Sequence, residues 1–195
     1  MSIERFLPES AYSMVKEILE GSGVKVKVVK ARKSKFGDYC FREGKHRITI
    51  NNDLNPYAFY VTLLHEIAHF LAFKAYKNSI APHGEEWKSI YRKLLIVALH
   101  KVPFPKDIES ALNQHSQNLK ATTCVDHHLY QTLKKYDGRN IVYLKSLPDS
   151  TVFAIENGRI FKKEGKVRTR IRCIELASNR PYSFHPLAEV KPVNK

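Results

Sequence analysis

The stretch LLHEIAHF, Leu63 to Phe70, places two histidines four residues apart inside an apolar run, with a glutamate directly after the first. Four residues are about one helical turn, so on a helix His65 and His69 project from one face, with Glu66 about 100° round from His65. Neutral imidazoles at i and i+4 can both donate to one zinc ion, and the glutamate can act as general base on a water held there. The alternative is three polar residues on an amphipathic helix. Burying His, Glu and His without a shared partner is costly, which favours the metal.

The flanking sequence supplies the helix. Asn55 followed by Pro56 reads as an N-cap and first helical position, opening a helix that runs to about Tyr76 and is apolar nearly all round. Beyond the NSIAPHG loop a second helix is expected from about Glu85 to Leu99. Its Trp87, Ile90, Tyr91, Leu94, Leu95 and Ala98 form a core-facing stripe, with Glu85 and Glu86 placed favourably in the first turn.

A catalytic zinc takes three protein ligands and leaves a fourth position open. The metzincin pattern is excluded, because Ala72 and Ala75 stand where it needs a glycine and a histidine. Glu85 or Glu86 could serve as an acidic third ligand, but His83 is the better choice. It lies in APHGEEW, where the chain turns back over the first helix, and Gly84 is expected to permit the tight backbone. The competing reading has His83 capping the second helix or lying in solvent.

Composition bounds the rest. The chain has 195 residues, enough for one large domain or a larger one with a small appendage. No apolar run is long enough to span a bilayer, and MSIERFLPES lacks a signal peptide's charged start and apolar middle. A cytoplasmic, monomeric protein is expected, with no membrane partner. Cys40, Cys124 and Cys173 are widely spaced with no CxxC pair, which indicates neither a disulfide framework nor a cysteine zinc ribbon.

The net charge of +14 points to polyanions, chiefly nucleic acid, against the plainer reading of a soluble lysine-rich surface. The charge is clustered. Lys25 to Lys35 carries six basic residues and no acidic one, and Arg159 to Arg172 carries seven against Glu164 alone. Within the second cluster Lys166, Arg168, Arg170 and Arg172 alternate with other residues, so a strand there would present one continuous basic face to a phosphate backbone.

Along the chain, a first helix is read over Pro8 to Glu20, then strands at Val24 to Lys30, Asp38 to Phe41 and His46 to Asn51, with Gly44 turning the last two. After VPFPKD, shorter helical stretches are expected near Ile108 to Leu119 and Asp126 to Tyr136. Beyond Pro148 the pattern becomes all-β. Asn157-Gly158 signals a type I′ hairpin turn, and Ser178-Asn179 a second turn. The fold class is therefore α+β: a helical core carrying the metal-site candidate, with a small N-terminal sheet, over residues 1–145, and a basic all-β module over 146–195. Val152, Phe153, Ile160, Phe161 and Ile174 are expected to form the module's small core.

HEIAH, thirteen intervening residues and HGEEW resemble the SprT-like (Spartan-related) zinc metalloprotease family, in which HExxH is followed by a later His-Gly and an aromatic residue. HRITINNDLNP, His46 to Pro56, resembles the strand and turn before that family's active-site helix. The resemblance covers residues 5 to 100, and the remainder looks most like Bacteroidota-type members. It implies a zincin-like core, one zinc ion on His65, His69 and His83, Glu66 as general base, and a protein substrate. Many members end in a four-cysteine zinc ribbon, which Cys173 and Cys124 cannot supply. The C-terminal module then reads as a metal-free counterpart. Eukaryotic relatives degrade proteins crosslinked to DNA, which implies DNA as a partner here.

A Tyr or His often stabilises the oxyanion in such peptidases, and Tyr39, Tyr91 and His100 are candidates. Two other classes compete with a peptidase. One is a nucleic-acid-binding module with a structural or vestigial zinc. The other is a metal-dependent nuclease, against which the glutamate in HEIAH counts.

Overall fold

The β-branched alternation of KVKVV forms β1 (Lys25–Val29) in the computed structural model, which describes residues 3–119, 126–138 and 142–193. β2 (Gly37–Arg42) and β3 (Lys45–Asn51) form a hairpin. Its two-residue turn, Glu43-Gly44, has positive φ at both positions, as a type I′ turn requires. β1 joins the far side of β3 in parallel, so the order is β1-β3-β2 and β2 is an edge strand. Register puts Val26, Val28, Ile48, Ile50 and Tyr39 on one face, against the core. The opposite face carries Lys25, Lys27, Arg42, Lys45 and Arg47.

α1 (Ala11–Leu19) starts later than the sequence reading, because Pro8–Ser10 make a turn closed by the Ala11 N–H on the Pro8 carbonyl. α2 (Pro56–Tyr76) is capped as expected: the Asn55 side chain accepts from the Ala58 N–H at 3.0 Å. α3 (Glu85–Lys101), α4 (Lys106–Gln117) and α5 (His127–Lys134) complete the helices among the described residues. α2 packs on β2 and β3 and on α3. It buries Phe59, Leu63, Leu64 and Ile67 completely, each contributing about 1.5–3 kcal/mol. That apolar surround is what makes a helix without a polar face stable here.

The chain divides into two compact units, Met1–Asp137 and Gly138–Lys195. The second is a six-stranded sheet in the order β4-β9-β5-β6-β7-β8. Its strands are β4 (Val142–Tyr143), β5 (Val152–Ala154), β6 (Ile160–Val167), β7 (Arg170–Glu175), β8 (Pro181–Phe184) and β9 (Glu189–Pro192). Phe153 and Phe161 pair across β5 and β6 and are fully buried, as expected. Leu144, Ile171, Cys173 and Val190 join them. The other expected core residues are corrected by register: Val152 and Ile174 both pair with Lys162 on the opposite face, and Ile160 is 39% exposed.

Two turn readings also change. Asn157 has negative φ and only Gly158 is left-handed at +84°, so the loop is a type I turn with a glycine bulge, closed by the Gly158 N–H on the Ile155 carbonyl. The expected single basic strand is instead a hairpin. Lys166 ends in β6, Arg168 sits in the turn at φ +53°, and Arg170 and Arg172 lie in β7. Lys166 pairs with buried Ile171, so register places it on the face opposite Arg170 and Arg172. Arg172 is also held by Glu164 at 2.8 Å. Ser178-Asn179 does form the second turn, with Asn179 left-handed. Cys40 and Cys173 are free thiols, and Cys124 lies outside the described residues. No helix among those residues is long and apolar enough to cross a membrane.

Candidate metal centre

The helical spacing of His65 and His69 brings their Nε2 atoms to 3.2 Å. The Nε2 of His83 lies 3.0 Å from that of His69 and 3.2 Å from that of His65. A neutral imidazole has one N–H, so three nitrogens facing each other cannot all be satisfied as mutual donors and acceptors. A cation is the partner they can share. Tetrahedral zinc with bonds of about 2.0–2.1 Å separates its ligand nitrogens by about 3.3 Å, within a few tenths of an ångström of this triangle. Burial, followed by the neighbouring histidines, lowers the His65 pKa to about 2, and burial lowers His69 to about 4 and His83 in the same direction. All three rings are therefore neutral near pH 7, with lone pairs free for a metal.

His83 reaches the triangle through unusual backbone. Its φ is +60°, whereas Gly84 is extended at φ −66° and ψ −179° as the N-cap of α3. The expectation that Gly84 supplies the tight backbone is thus corrected, because the left-handed residue is the ligand candidate itself. Histidine is among the residues enriched there. Trp87, one turn into α3 and 1% exposed, floors the site, with its ring 4.7, 5.0 and 4.6 Å from the rings of His65, His69 and His83.

Glu66 is 6% exposed and lines a cleft of about 370 Å³ shared with all three histidines. Burial pushes its pKa up to about 8, helped by Asp38 and opposed by the Tyr39 backbone N–H, Lys35 and Arg32. Gly37, at the start of β2, makes room for it. A Cβ there would lie 2.6 Å from Glu66 Oε1 and 2.8 Å from Thr62 Cγ2. The remaining wall, Ser34 to Phe36, is held by Asn51. The Asn51 amide donates to the carbonyls of Arg32 at 3.1 Å and Lys35 at 2.9 Å, and its oxygen accepts from Arg32 Nε at 2.9 Å.

Of the other residues singled out from sequence, Glu85 pairs with Lys88 at 2.8 Å, and both Glu85 and Glu86 are exposed, away from the triangle. Tyr39 lines the cleft, with its hydroxyl 2.9 Å from His46 Nδ1. Tyr91 is fully buried, its ring 5.4 Å from that of His65. His100 is exposed at the end of α3, where its ring nitrogen is 2.7 Å from the Ile96 carbonyl, so it leaves the oxyanion candidates. Gly37, Asn51 and Trp87 were not expected in the site. The only trace of them in the sequence is a glycine before a strand, an asparagine ending one and an aromatic four residues after His83.

The SprT-like family model matches residues 8–124, more than half the chain and all of the histidine site. The chain belongs to the SprT-like family. No curated protein and no solved structure matches it. In this SprT-like chain, His65, His69 and His83 are the group among the described residues that could hold a metal ion.

Proposed function

We propose that this SprT-like protein is a zinc-dependent endopeptidase with a zincin-like core. One observation carries the reading: three imidazole nitrogens within 3.0–3.2 Å of one another open onto a cleft that Glu66 also lines. His65, His69 and His83 would hold the ion through Nε2. When bound, zinc supplies Lewis acidity that polarises a peptide carbonyl and eases deprotonation of water. Glu66 takes that proton at its carboxylate and returns it to the leaving amine. The cleft between β2 and α2 binds and orients the peptide, and Tyr39 is placed to meet its carbonyl.

The substrate class we propose is protein associated with or crosslinked to DNA, with the exposed cations Lys166, Arg168 and Arg170 contributing to nucleic-acid contact. Support comes from the net charge of +14 and from the family match. A purely structural zinc would want a fourth protein ligand, and the triangle has three among the described residues. The test is zinc stoichiometry paired with cleavage of a denatured protein. Glu66→Gln is expected to keep its zinc and lose activity by about 10²–10⁴-fold. His83→Ala is expected to lose both. Zinc retained in His83→Ala, or full activity in Glu66→Gln, overturns the proposal.

A further inference from the structure

The outer face of the three-stranded sheet is not used by the metal centre. Lys25 and Lys27 of β1, Arg42 of β2, and Lys45 and Arg47 of β3 line one cavity of about 420 Å³ with a single carboxylate, Glu43. None of the five cations has an ion-pair partner among the described residues. Elsewhere basic residues are neutralised: Arg172 by Glu164, Arg159 by Glu175, Lys163 by Asp149 and Lys35 by Asp38. Arg32 is also occupied, bonded to Thr49 and Asn51. Five like charges gathered around one concavity repel each other, and a polyanion relieves that repulsion.

Phe41 pairs with His46 on the other side of the sheet, its ring 4.8 Å from that of Phe73 on α2, so the groove is read by charge and not by stacking. A row of cations around one concavity matches a phosphate backbone.

We infer that the outer face of the β1-β3-β2 sheet binds the sugar-phosphate backbone of a nucleic acid. The strand β2 then serves two ligands: Gly37 and Tyr39 face the cleft, while Cys40 and Arg42 face the cavity. The inference does not depend on peptidase activity. Protein cleavage without DNA tests that reading and oligonucleotide binding tests this one, so either can fail alone.

The experiment is fluorescence anisotropy of the full chain with a labelled oligothymidine of about 20 nucleotides, across about 50–300 mM KCl. Lys25→Ala/Lys27→Ala/Arg47→Ala is expected to weaken binding by about tenfold or more and to reduce the salt slope by about 2, at about 0.7 per lost phosphate contact. Arg42→Ala/Lys45→Ala, at an exposed hairpin end, is expected to act in the same direction and keeps the test intact should the triple variant misfold. Wild-type affinity in both sheet variants overturns the inference. So does loss of binding only in Lys166→Ala/Arg168→Ala/Arg170→Ala.

Discussion

At His83 the backbone and the chemistry pull in different directions. A left-handed histidine costs roughly 1 kcal/mol, and the loop keeps it because that geometry delivers Nε2 to the other two imidazoles. Gly37 shows the same logic by subtraction, since its missing side chain is the space Glu66 occupies. Gly37→Ala is therefore expected to leave zinc stoichiometry unchanged while lowering the cleavage rate by up to about a hundredfold, measured on the same preparation. The histidine pair and Glu66 could be read from five residues because helical periodicity is local. Gly37 could not, because its role exists only once β2 is laid against α2.

Among the elements, α2 was legible from its cap and its unbroken apolar run, and α3 from its stripe. The basic hairpin was misread for a physical reason. The turn at Arg168-Thr169 contains no glycine, proline, asparagine or aspartate, so sequence alternation ran straight through it. The loop between β1 and β2 hangs on one buried side chain, Asn51, which is 1% exposed. Asn51→Ala removes two donated bonds and one accepted bond, and an expected loss of roughly 1–3 kcal/mol should appear as a lower urea midpoint. Because Ser34 to Phe36 wall the cleft, the same variant is expected to raise KM more than it lowers kcat.

Across the whole molecule, the two units answer to different conditions. In the second, Glu175 is held down to a pKa of about 2, first by its hydrogen bond from Arg159 and then by that from Ser178. A depressed carboxylate stabilises the fold above its unfolded pKa of about 4.5, and that contribution is lost as pH falls toward 2. Thermal melts of wild type and Glu175→Gln should therefore differ at pH 7 and converge near pH 2. In the first unit, stripping a metal present at a hundredfold excess over its Kd should cost about 2.7 kcal/mol, or roughly 5–15 °C in Tm. Chelation is expected to leave the Tm of His83→Ala unmoved. The chain contains one tryptophan, and it is Trp87, against all three imidazoles. Its emission is thus an unlabelled reporter of the triangle alone: cobalt or copper added to the apo protein should quench it stoichiometrically, and zinc should compete the quenching away.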